Sequence, residues 1–175
     1  MRKALLYTFV LLGFLAPAFA YANQGIRVIS STAAQMIIEF EPMNWRIRDV
    51  KSGSHLYHEF SFDGAVMHAE PGAPQIPVKA VLIAVPEGGD ARVQVIDSEF
   101  ETHENIDLAP LPIIVRQEIG YQYLFEQEST SYQTNRFEPE NLVRVSEPHS
   151  FRSQRVVKIY LQPLQYHPLQ QRVRK

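Results

Sequence analysis

His55 and His58 stand three residues apart, and paired imidazoles are a common start to a metal site. In a strand, successive side chains alternate between faces, so this spacing separates the two rings; the pair reads as a surface His55 and a partly packed His58. Asp97, Glu99, Glu101, Glu104 and Asp107 form a carboxylate run able to attract calcium, but without the glycine-punctuated spacing of a loop-type site. A solvated sheet edge, where charge discourages stray pairing, is the expectation. No Gly-x-Ser-x-Gly elbow surrounds any serine, and Gly88-Gly89 makes a turn without the helix a phosphate cradle requires. The absence of cysteine excludes a thiol nucleophile and Cys-ligated zinc from this polypeptide. These residues assign no catalytic group, metal or cofactor. Trp45, Tyr121, Tyr123 and Tyr132 offer flat rings on which a sugar could stack, with core or rim packing as the simpler alternative.

The elements that would position such residues are strands. Apolar residues recur in short runs rich in Val, Ile, Phe and Tyr, broken by Pro, Gly, Asn and Asp, and almost nowhere at helical spacing. The pattern predicts strands at 35–40, 45–50, 56–62, 78–85, 92–96, 142–145 and 156–161. The run 78–85 is apolar on both faces except for Lys79, which suits a central strand, and 87–90 is expected to turn it into 92–96 as a β-hairpin. Residues 107–112 read as an extended connection, 113–125 fits a strand or a helical turn, and 127–140 is polar loop. Together these favour an all-β domain: a two-sheet antiparallel sandwich or jelly-roll-like form.

A basic head, Met1-Arg2-Lys3, an apolar run from Ala4 to Ala16 and the small residues around Ala20 have the order of a secretory signal peptide. Cleavage is expected after Ala20, with Ala22 as the nearby alternative. The run is shorter than the roughly 20 residues of a spanning helix, so no membrane association is expected after its removal. Two of the 17 basic residues lie in this leader, which leaves a net charge of about −4 and argues against a nucleic-acid partner. The following segment, 21–175, suits one domain with its own core, destined for the periplasm, cell surface or exterior.

Two phrases carry a resemblance. Pro71-Gly72-Ala73-Pro74-Gln75-Ile76-Pro77, with the apolar strand to Pro86 and then Val93-Gln94-Val95, is similar to the signature of the amino-terminal propeptide of gingipain-type (clan CD, family C25) cysteine peptidases. Arg152-Ser153-Gln154-Arg155-Val156-Val157 and Pro163-Leu164-Gln165-Tyr166-His167-Pro168 resemble that family's carboxy-terminal phrase, with His167 where Asn is usual. Gly72, Pro74, Pro77, Pro86, Arg155, Pro163, Tyr166 and Pro168 are the matching positions, and the prolines of the first phrase read as structural.

The resemblance implies a non-catalytic prodomain that keeps a cysteine endopeptidase latent by covering its cleft and assists its folding. Its partner would be the gingipain-type catalytic domain. The sequence given stops at Lys175, before a caspase-like domain would begin, so a gene fragment, a split precursor and an independent inhibitor all fit. A partner that prefers Arg or Lys would be plugged by a basic loop residue; Arg136 is the first candidate and Arg116 the second. Arg174, in the basic tail 172–175, is a candidate processing site, against the alternative of a frayed terminus. The competing class is a free-standing secreted adhesion or carbohydrate-binding module.

Overall fold

The computed structural model describes residues 25–32, 34–88, 91–127 and 130–175; the expected leader, with Ala20 and Ala22, lies outside them. In chain order the strands are β1 (Ile26–Ser31), β2 (Met36–Phe40), β3 (Arg46–Ser52), β4 (His55–Ser61), β5 (Val66–Met67), β6 (Pro77–Ala84) and β7 (Thr102–His103). They continue with β8 (Ile113–Arg116), β9 (Tyr121–Leu124), β10 (Val143–Val145), β11 (His149–Phe151), β12 (Gln154–Leu161), β13 (Gln165–His167) and β14 (Arg172–Arg174). Two 3-10 turns, Thr130–Gln133 and Pro168–Gln170, are the helical elements among the described residues.

The strand pairings are antiparallel and form an all-β domain. The largest sheet runs β10-β12-β6-β5, with β11 also on β12; β13-β14-β7 makes a second, and β1-β2, β3-β4 and β8-β9 pair off. Two cores result. Val157, Ile159 and Leu161 of β12 are buried under Ile26 of β1 and Ile38 and Phe40 of β2. Phe60, Leu108, Leu164, Tyr166 and Val173 form the other core, against Trp45, Ile76, Ile106 and Tyr132. Trp45 meets Phe60 and Phe62 edge-on, at centroid distances of 6.4 and 5.0 Å.

The expected hairpin between 78–85 and 92–96 does not form. β6 pairs with β12 over Lys79 to Ala84 and with β5 at Pro77 and Val78, while 91–100 contains no strand. The Val-Gln-Val alternation there reflects one-sided burial: Ala91 and Val93 pack on the β12 core while Ile96 is 73% exposed. The two-faced apolar reading of β6 is corrected as well, because Lys79 is buried whereas Leu82 is 50% exposed. The basic tail is no frayed end. Its residues form β14 between β13 and β7, with Val173 fully buried.

Candidate functional site

Ile113-Ile114-Val115-Arg116 and Tyr121-Gln122-Tyr123-Leu124 are β-branched and aromatic runs that pair in register, Ile114 opposite Tyr123 and Arg116 opposite Tyr121. The turn closes with the Gln117 amide donating to the Gly120 carbonyl at 3.2 Å. Gly120 has φ +89°, a value that strains any residue with a Cβ. Alternation places Ile114, Arg116, Tyr121 and Tyr123 on one face, and all four are exposed. Ile119, at the tip, is 95% exposed. β8 and β9 pair only with each other among the described strands, and the Arg116 side chain has no hydrogen-bond or ion-pair partner among the described residues.

The hairpin rises from a root that is buried. Leu108, Ala109 and Pro110 are inaccessible, and the segment is bonded on both sides. The His58 amide donates to the Asp107 carbonyl (2.7 Å), and the Ala109 amide donates to His58 (2.8 Å). From the first signature phrase, the Gln75 amide donates to Ala109 (2.9 Å) and the Gly72 amide to Leu111 (2.8 Å), while the Leu111 amide donates to Ala73 (2.8 Å). Gly72 reaches this position at φ +84°. Side chains complete the root: Gln75 Nε2 donates to the Pro110 carbonyl at 2.7 Å and the Tyr132 hydroxyl to the Leu108 carbonyl at 2.6 Å.

Asp107 gathers polar groups beside it. Its carboxylate meets His55 Nε2 at 2.6 Å, Gln127 Nε2 at 3.2 Å and the Tyr166 hydroxyl at 3.3 Å. Burial pushes the Tyr132 and Tyr166 hydroxyls well above the ordinary tyrosine value, and the Asp107 charge acts in the same direction on both. Both hydroxyls therefore stay protonated donors at neutral pH.

The other expected residues fall elsewhere. Arg136 is exposed, but its Nε is held by Glu138 Oε1 at 2.6 Å. Arg174 lies within β14, its guanidinium over Phe137 at 3.8 Å. The acidic run and the basic tail meet: Lys175 Nζ donates to Glu101 at 2.8 Å, and Arg172 pairs with Glu104. Of the second signature phrase, Arg155 lies in β12, Pro163 is half-buried between β12 and β13, Tyr166 and His167 are buried in β13, and Pro168 opens a 3-10 turn. Pro77 begins β6 and Pro86 is exposed just beyond it. His55 and His58 are parted as expected, one on Asp107 and the other 4.0 Å from Asp49. Tyr121 and Tyr123 are exposed, whereas Trp45 and Tyr132 pack against a core, so the four aromatics do not share a sugar-stacking face.

Fold and site together define an all-β module with an exposed β8-β9 hairpin on a buried root. The chain belongs to the Propeptide_C25 family, whose model matches residues 19–175. It is similar to gingipain R2 of Porphyromonas gingivalis, with 27% identity over 166 residues, covering 93% of this chain and 22% of that protein. Gingipain R1 of the same species is 26% identical over 158 residues, covering 87% and 15%. The chain thus spans less than a quarter of the length of these relatives. Among solved structures, the complex of Porphyromonas gingivalis RgpB pro- and mature domains matches with a TM-score of 0.76 and 24% identity, covering 87% of this chain and 80% of that one. A structure describing the zymogenic latency of gingipain K from Porphyromonas gingivalis matches with a TM-score of 0.69 and 19% identity, covering 85% of each chain. The matched residues are those of the propeptide of this family.

Proposed function

We propose that this chain is an exported prodomain that holds a gingipain-type cysteine endopeptidase latent by laying the β8-β9 hairpin across its catalytic cleft, and that assists the folding of that enzyme. Arg116 is the plug. The observation that carries this is the composition of one exposed face: a guanidinium with no partner among the described residues, flanked by Ile114, Tyr121 and Tyr123, on a hairpin whose root is hydrogen-bonded to the body. Arginine and tyrosine are the residue types that dominate binding energy at protein interfaces. A strand presented ready-made avoids the ordering cost of a flexible substrate, which favours occupancy of the cleft. Arg136 is the weaker candidate, since entering an acidic specificity pocket would first break its bond to Glu138. Support for the partner comes from the family and from the relative solved as a complex of pro- and mature domains. The same family supports export, with the periplasm, the cell surface and the exterior as the compartments that suit the expected leader.

The test is inhibition of the gingipain-type peptidase retrieved with this chain by pull-down from its source. Arg116→Ala is expected to weaken inhibition by about a hundredfold, within the range for removing one partner of a buried charge pair. Arg136→Ala is expected to leave it nearly unchanged. Equal inhibition by Arg116→Ala and the unaltered chain would remove the hairpin from this role.

A further inference from the structure

We infer that Gln75 and Tyr132 are positioning residues for Arg116, acting through the hairpin root; the inference rests on the hairpin being the inhibitory element. β8 and β9 pair only with each other among the described strands, so their direction depends on where the chain leaves the body, at 107–112, and on the returning leg, where Gln127 bonds Asp107. Each carbonyl from Asp107 to Leu111 is met by a donor. Backbone amides of His58, Gln75 and Gly72 serve Asp107, Ala109 and Leu111, but the carbonyls of Leu108 and Pro110 are reached by side chains, Tyr132 and Gln75. Proline has no N–H, so Pro110 and Pro112 donate nothing to a ladder at this point, and the Leu108 and Pro110 carbonyls are satisfied by side-chain donors.

Gln75 is only 4% exposed and grips two successive residues, its amide on Ala109 and its carboxamide on Pro110. Tyr132 approaches from another part of the chain, and its ring packs edge-on against Tyr166, 6.2 Å away, which fixes the angle of its hydroxyl. Two donors from separate elements, acting on alternate carbonyls, leave the root little freedom to rotate. The first signature phrase thereby has a use beyond leading into β6: it holds the base of the hairpin about which Arg116 would otherwise swing.

Gln75→Met keeps the volume and removes the donor; Tyr132→Phe keeps the ring and removes only the hydroxyl. Each is expected to weaken inhibition of the same peptidase by about fivefold to thirtyfold, because a displaced plug forfeits contacts it was oriented to make. In the Arg116→Ala background the same substitutions are expected to cost less than about twofold, the non-additivity of residues that act through one another. A purely structural role would give the same loss in both backgrounds and would overturn the inference, as would full inhibition by both single variants. An inert Arg116→Ala sinks the functional reading and the inference with it; an effective Arg116→Ala beside inert Gln75→Met and Tyr132→Phe sinks the inference alone. Amide hydrogen exchange supplies a partner-free check: faster exchange at Ala109 and Leu111 with β12 unchanged is expected, and unchanged exchange at the root counts against the grip.

Discussion

Two short β elements of this domain carry exposed or half-exposed arginines, and they are built in opposite ways. β14 holds Arg174 in the middle of a three-stranded sheet, paired to β13 and β7, with Val173 buried beneath it and Phe137 under the guanidinium. The β8-β9 hairpin holds Arg116 on an exposed face, and its strands have no further strand neighbours among those described. An added strand needs a free sheet edge, so local basicity matters less than pairing: β14 has a strand on each side, whereas β8 has one only on the β9 side among the described strands. The basic tail looks more inviting in sequence; the hairpin is the one that is presented.

The contrast breaks first if the two regions prove equally costly to damage. Leu164→Ala, in the core beneath β14, is expected to lose about 2 to 5 kcal/mol in urea unfolding, whereas Ile119→Ala at the hairpin tip should stay within about 0.5 kcal/mol. Comparable losses would mean that the hairpin is packed after all. Limited trypsin digestion sharpens the same point: cleavage after Arg116 is expected to outpace cleavage after Arg174 by about tenfold or more, since β14 must first open. Mass spectrometry of the first fragments reads the order directly.

A smaller effect tests the root that the two regions flank. The Tyr132 and Tyr166 hydroxyls are pushed up by burial, so in the folded chain they keep protons that the unfolded chain releases near pH 10. Stability is therefore intact below that value and falls as pH rises above it. Tyr132→Phe should lower stability at pH 7, by about 1 to 3 kcal/mol for the carbonyl left unpaired, yet flatten the decline above pH 10. An unaltered alkaline slope would show that Tyr132 is not buried as described.

β2, β3, β4, β6, β10 and β12 were legible because packing writes itself into alternation, whereas β1, β13 and β14 were not read as strands. The runs around Met36, Arg46, His55, Pro77 and Gln154 all became strands near their expected bounds. Pairing partners were not legible, since the same Val-Gln-Val pattern suits a paired strand and a chain lying against a core, as 91–96 does. The hairpin stayed open between strand and helical turn because its alternation is short and its faces are not separated into polar and apolar. In sequence Arg136 comes ahead of Arg116 on its loop placement; the proposed order reverses this because Glu138 holds Arg136 while Arg116 lies on an exposed hairpin face. The grip of Gly72 and Gln75 on 109–111 joins segments more than thirty residues apart, a contact that no local pattern encodes.

The glycine turn at Gly120 and the mutual pairing of β8 with β9 keep the hairpin's own register within a single short stretch, while its aim is fixed from outside that stretch. On the proposed reading, bait and mount are thus separable parts. An exchange such as Arg116→Lys alters only what is offered to the enzyme, so a lineage could retarget this domain to a new peptidase without refolding its body.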